Sequence, residues 1–394
     1  MKQESRVETS QAARVNIDPL TGFRFLAAML VFVSHYDIPG LTGTALRATR
    51  SGYAGVTLFF VLSGFVIAYN YLDRFESGGP GGLVRDYLVA RLARVYPLYF
   101  CFIVFGYLAQ GMTSLPWIHL LALQAWSPDV TVAFGVNAAS WSIGVEVFLY
   151  LAFPLLIPAL AKLRVLVTMR RLVAASAVVV AAMLWAALYF AADCRASLPL
   201  EDPASARRWL YRMPAARLGD FLLGIFGAAF FMRFARSDPQ SLRNWSMVTY
   251  LAAAALLLLL AAKKNFHSAF SWDLAYAVPA ILMILGLAIN RRTAISRFLG
   301  SAPLILLGQA SYAFYLVHLP ASPLHHGTVR GVPYQLALYL AFLGLVIALS
   351  IGLHIAVETP ARQWLRKWLA SASPAQSSPA GPASGDLRPP PPAA

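Results

Sequence analysis

Apolar segments of membrane-crossing length recur along almost the whole chain, near residues 20–36, 53–72, 95–112, 141–161, 172–192, 217–232, 245–262, 272–290, 301–319 and 334–357. A bilayer's hydrocarbon core needs about 20 apolar residues per helix and offers no water to exposed backbone groups, so such segments cross as helices or not at all. With 59% hydrophobic residues, 12% charged residues and a mean hydropathy of +0.62, the chain reads as an all-α, polytopic integral membrane protein of about ten transmembrane helices. The stretch LPWIHLLALQAW at 115–126 is too short to cross and is expected to be re-entrant or interfacial.

Charge supplies the orientation. With the N-terminus inside, 21 Lys and Arg fall on the inner side and 9 on the outer side, the bias expected of a protein with both termini cytoplasmic. Counting 115–126 as a span would invert everything after it and send the KLRVLVTMRR loop outside. The net charge of +15 is therefore read against the anionic inner leaflet rather than against nucleic acid. Residues 1–19 form a polar cytoplasmic tail without signal-peptide features, residues 20–370 the transmembrane domain, and the Pro/Ser/Ala-rich residues 371–394 a disordered cytoplasmic tail. Cys101 and Cys194 make no disulfide framework, and no metal-ligand spacing is present.

Against this apolar background the embedded polar residues stand out. LTGFRFLAAMLVFVSHY carries Arg24 and His35 within one span. Eleven residues put them on nearly the same helix face, about 16 Å apart. Intramembrane charge costs about 2.5 to 3.5 kcal/mol on insertion scales, so a permanent cation and a titratable base on one face point to function. Ser142, Glu146 and Tyr150 recur at four-residue intervals in WSIGVEVFLY, a hydroxyl, carboxylate and phenol on one stripe that should face a cavity. Ser311, Tyr315 and His318 repeat the pattern in SYAFYLVHLP, and spans one, four and nine are expected to line the cavity together. Arg91 and Arg94 in RLARVYP suggest a fork for phosphate, with positive-inside anchoring as the competing reading. Arg217 and Asp220 read as a structural ion pair, while His119, His267, His325, His326 and His354 carry no signal beyond ordinary interfacial or packed histidines.

Taken in order, Arg24 and His35, GVTLFFVLSGFVIAY, RLARVYPLYF, WSIGVEVFLYLAFPLL and SYAFYLVHLP resemble the acyltransferase-3 family of bacterial membrane O-acyltransferases over residues 18 to 360. The resemblance implies a multi-pass protein of the bacterial cytoplasmic membrane. It implies transfer of an acetyl or other short acyl group from acyl-CoA to a hydroxyl, commonly on a sugar of lipopolysaccharide, exopolysaccharide or another glycoside. It further implies that His35 and Arg24 match the family's essential pair, and that Arg91, Arg94, Ser142 and Glu146 match its other recurrent polar positions. No SGNH-type esterase-like domain follows the spans, so transfer is expected from the membrane domain alone or with partner glycan-assembly enzymes.

The chemistry is consistent with those residues. A neutral imidazole suits proton removal from an attacking hydroxyl, which makes His35 the candidate base. Glu146 could hold its tautomer or bind sugar hydroxyls, and Arg24 could attract donor phosphate or stabilise charge on the thioester oxygen. Tyr150, Tyr315 and His318 are candidate substrate-binding residues. Ser142 as an acyl carrier is chemically possible, although serine in a span more often packs or hydrogen-bonds. A transporter or flippase using the embedded charges as a proton or substrate path is the alternative reading, and labelling of a glycan from a thioester separates the two.

Overall fold

The computed structural model describes residues 17–78, 82–112, 116–235, 238–263, 266–321 and 331–372, and all regular elements among them are helical. The tails 1–16 and 373–394, and with them most of both predicted tails, lie outside the described residues, as do His325 and His326. The principal helices are α1 (Asp18–His35), α2 (Gly55–Glu76), α3 (Leu83–Ala109), α4 (Trp141–Lys162), α5 (Met169–Ala192) and α6 (Leu218–Phe234). They continue with α7 (Pro239–Ala261), α8 (Leu274–Ile289), α9 (Ala302–Gln309), α10 (Ser311–Val317), α11 (Val332–Leu353) and α12 (Thr359–Ala372).

Helix occupies each of the ten predicted segments, but six helices are long and apolar enough to cross a membrane by length and composition. These contain α2, α3, α4, α5, α7 and α11. The other four segments fall short for physical reasons. α6 has 17 residues and α8 16, spans of about 24 to 26 Å against a hydrocarbon core of about 30 Å, whereas α1, with 18 residues, is made less apolar by Asp18, Arg24 and His35. The ninth segment is broken into α9 and α10 at Ala310. There the Ser311 hydroxyl donates to the Gly308 carbonyl at 2.8 Å, a local bond that competes with the helical ladder.

Two boundaries also move. α3 begins at Leu83, twelve residues before the predicted start of its span, because its arginines continue the helix instead of ending it. Beyond α11 a wide π-turn, His354–Glu358, leads into α12, which returns against α3 and was not expected from sequence. The short 115–126 segment forms a single turn, Trp117–Leu120, and a 3-10 turn, Gln124–Trp126. It is stitched down rather than extended across the bundle: the His119 ring donates to Val132 O at 2.8 Å and the Gln124 amide to Ser140 O at 2.8 Å.

α2 lies at the centre of the bundle, with 83% of its most apolar window buried. Small residues let its neighbours approach. A Cβ on Gly224 of α6 would sit 2.7 Å from the Phe65 nitrogen and 2.9 Å from Gly64 Cα, so this crossing excludes any larger residue. Gly308 of α9 plays the same part against α1, where a Cβ would lie 2.5 Å from the Thr21 carbonyl carbon. With Gly55, where a Cβ would lie 2.9 Å from Val31 Cγ2, the Gly308 contact fixes α1, and with it Arg24 and His35, against α2 and the α9–α10 break.

Candidate active site

Five helices converge on one cavity of about 560 Å³. α1 contributes Arg24, α2 Ser63, α3 Arg94, α4 Ser142 and Glu146, and α10 Ser311, Tyr312 and Tyr315, while Val56, Phe59, Phe60, Val95 and Ile143 supply apolar wall. The predicted lining by spans one, four and nine is therefore incomplete, since α2 and α3 close the other side.

Two guanidiniums and one carboxylate share this space. Among the described residues neither Arg24 nor Arg94 has a carboxylate within ion-pair distance. Glu146 is occupied elsewhere: it accepts a bond from the Tyr150 phenol beneath it and one from Ser63 Oγ at 3.5 Å. The cavity thus holds two guanidiniums against one carboxylate, a net positive charge that favours an anionic ligand.

Towards the C-terminal end of α1 the polar residues continue as a column. Ser142 Oγ lies 2.9 Å from the Tyr315 hydroxyl and 3.1 Å from Ala139 O. The Tyr315 and His318 rings are 5.6 Å apart, and the His318 and His35 rings 5.3 Å. His318 is buried, and its Nδ1 lies 2.6 Å from the Tyr315 carbonyl. A carbonyl only accepts, so the proton of neutral His318 is on Nδ1 and Nε2 is left as an acceptor. That Nε2 is buried and has no partner among the described residues. The Tyr36 hydroxyl donates to His318 O at 2.6 Å and fixes the backbone from the other side.

The predicted site residues are therefore brought together unequally. Arg24, Arg94, Ser142, Glu146 and Tyr315 line the cavity, His318 and His35 form the next tier, and Tyr150 stands behind Glu146. Arg91 does not form a fork with Arg94. Its guanidinium packs over the Tyr71 ring at 5.3 Å, with Nε buried and unpartnered. Glu146 bonds to Tyr150 and Ser63 rather than to His35, so the neighbour of His35 is His318.

A family model for an acyltransferase domain matches residues 17–355, which take in the cavity, the histidine tier and every predicted site residue. The chain belongs to the acyltransferase-3 family. Within it, the protein is 31% identical over 382 residues to acyltransferase MdmB of Streptomyces mycarofaciens, covering 89% of this chain and 93% of that one. It is also 42% identical over 82 residues to protein 2 in the picA locus of Rhizobium radiobacter, covering 20% of this chain and 38% of that one. No solved structure matches. Membership makes the protein a membrane acyltransferase.

Several residues of this acyltransferase-3 site were not singled out from sequence. Ser63 and the phenylalanines of α2 lie in an apolar run marked by one hydroxyl beside Gly64, and Tyr312 sits off the Ser311, Tyr315 and His318 stripe. The Arg217–Asp220 pair is present at 2.9 Å and fully buried, but Asp273, at 3.0 Å, completes it. Arg217 also donates to Tyr211 O at 2.8 Å and Trp272 O at 2.7 Å, tying the 193–216 connection to the start of α8.

Proposed function

We propose that this protein transfers an acetyl or other short acyl group from acyl-CoA to a sugar hydroxyl of a surface polysaccharide, lipopolysaccharide, exopolysaccharide or other glycoside. The observation that carries the reading is the pair of unpaired guanidiniums, Arg24 and Arg94, in a cavity joined through Tyr315 and His318 to His35. Donor phosphate or the thioester oxygen meets the arginines, and the acceptor hydroxyl meets His35. His35 takes the hydroxyl proton as the oxygen attacks the thioester carbonyl. Arg24 stabilises the charge that develops on the carbonyl oxygen. Collapse expels the CoA thiolate, and the His35 proton passes to sulfur, leaving ester and free CoA thiol with His35 neutral again.

The same reading gives the protein ten spans in the bacterial cytoplasmic membrane with both termini inside, the short α1, α6, α8 and α9–α10 segments crossing within the bundle. Coenzyme A is cytoplasmic, so the donor enters from the Arg94 end and the acceptor from the His35 end. Purified protein in nanodiscs, given acetyl-CoA and a glycan extract, should release CoA thiol only when acceptor is present, with a matching acyl mass on the glycan. Acceptor-independent release, or none, rejects the reading. Reporter fusions that put the 162–171 loop outside reject the orientation.

A further inference from the structure

At the His35 end of the bundle a second cleft, about 900 Å³, opens between residues 196–200 and the start of α8. Arg207, His267 and Trp272 line it together with Ser197 and the apolar Leu198 and Leu200. The walls are stacked rings: His267 lies 5.0 Å from Trp272 and nearly parallel to it, and Tyr53 lies 5.4 Å from His267 and 5.0 Å from Trp272. Tyr53 stands two residues before α2, whose start packs on Ala27 and Val31 in the C-terminal half of α1, and this puts the cleft towards the His35 end of that helix.

Two donors in this wall are unsatisfied. Arg207 Nε and Trp272 Nε1 are both buried with no hydrogen-bond partner among the described residues, and Trp272 is only 3% exposed. The Arg207 guanidinium stands over the Trp272 ring at 5.5 Å and, among the described residues, has no carboxylate at ion-pair distance. A buried N–H left without a partner is costly, so each of these two favours an incoming acceptor. An oxyanion would satisfy both donors, and Leu198 and Leu200 would supply an apolar side for the face of a sugar.

We propose that this cleft is the acceptor subsite and that it binds an acidic glycoside, whose carboxylate or phosphate lies on Arg207 and Trp272 while a neighbouring hydroxyl reaches His35. The inference rests on the acyl-transfer reading. It also explains why a cation is placed near the base. Arg207 is the cation of this wall, and an acceptor carrying its own negative charge balances it while His35 takes up the hydroxyl proton. The acceptor thus helps to assemble a working base, and a neutral sugar does so less well.

The test uses the full chain in nanodiscs and three probes: methyl β-D-glucuronide, α-D-glucose 1-phosphate and the neutral methyl β-D-glucoside. Affinities are read by ligand-observed NMR, with acetyl-CoA binding measured in parallel. At least one acidic probe should bind about tenfold or more tightly than the neutral one, as expected for a charge-assisted bond. Preference for the glucuronide alone assigns a carboxylate, for the sugar phosphate alone a phosphate, and for both an unselective oxyanion site. Arg207→Gln should reduce the preference to within about twofold, Arg207→Lys should retain part of it, and Trp272→Phe should weaken the acidic probes while keeping an aromatic wall. Equal binding of all three probes to the unmodified protein overturns the proposal. So does a preference that survives Arg207→Gln, or one that is unchanged in Trp272→Phe. Failure of acetyl-CoA to bind the unmodified protein counts instead against the acyl-transfer reading.

Discussion

Removing the Arg217 side chain should be among the most damaging single changes to the fold. Arg217 is wholly buried, its Nη1 is shared by Asp220 at 2.9 Å, Asp273 at 3.0 Å and Thr57 at 3.2 Å, and its other nitrogens serve two backbone carbonyls. Because one nitrogen serves three acceptors, the bonds act as a unit and cannot be added singly. Arg217→Met keeps the bulk but leaves two buried carboxylates together without their cation, a change that costs about 3 to 5 kcal/mol in comparable buried pairs. An exposed pair would cost about 0.2 to 1 kcal/mol. The larger figure corresponds to a rise of roughly a hundredfold to several thousandfold in the unfolded-to-folded ratio. Thermal melting in detergent, followed by size-exclusion recovery, measures it. Adding Asp220→Asn and Asp273→Asn to the Met background should restore part of the loss by removing the uncompensated charge. An Arg217→Met protein that melts with the unmodified protein, or a triple variant no better than the single one, refutes the argument.

Three further outcomes follow from the site and its rim. His35→Ala should abolish glycan acylation while the protein inserts normally, and Arg24→Lys should fail or nearly so because an ammonium cannot reproduce a guanidinium fork; normal acylation by purified His35→Ala protein excludes it as base. Arg94→Ala should raise the apparent donor KM severalfold, more than Arg91→Ala does, with a difference that shrinks as salt rises, and unchanged acyl-CoA affinity in the double variant removes both from donor binding. Outside the spans, Arg50 bonds Asp37 and holds its carboxyl below the usual range, so this pair stabilises the fold above about pH 4 and loses its contribution as pH falls through the depressed folded value. Melting curves of Asp37→Asn should therefore lie below those of the unmodified protein at pH 6 and approach them in acid, and a constant offset across pH contradicts it.

What could be read from the sequence was whatever broke an apolar pattern locally. Arg24 and His35 were legible because a charge in a membrane helix is costly, and Ser142, Glu146 and Tyr150 because four-residue spacing places them on one stripe. Spacing alone could not separate Arg91 from Arg94. Three helical residues turn the chain by about 300°, enough to put one on the cavity and the other on Tyr71. The break at Ala310 depends on a single hydroxyl competing for Gly308 O, which no hydropathy average registers. Asp273 joins Arg217 from 56 residues away, and Arg207 reaches its cleft through a connection with no periodicity, so both are products of tertiary packing.

The histidine tier carries the last consequence. Tyr315 O holds the His318 proton on Nδ1, which leaves Nε2 as a buried, unpartnered acceptor in the ring that lies 5.3 Å from His35. The His318 ring therefore bounds one side of His35 and sets the orientation in which its imidazole takes the hydroxyl proton and passes it to the departing thiolate. On this argument His318 is a positioning residue for His35, and its effect belongs to the chemical step. His318→Phe, which keeps a ring of similar size but loses both nitrogens, should lower kcat by roughly 10² to 10⁴ while leaving donor KM within about twofold. Arg94→Ala should show the opposite pattern, a raised donor KM with kcat less affected. If His318→Phe instead raises donor KM at unchanged kcat, His318 acts in donor binding and the proton argument fails.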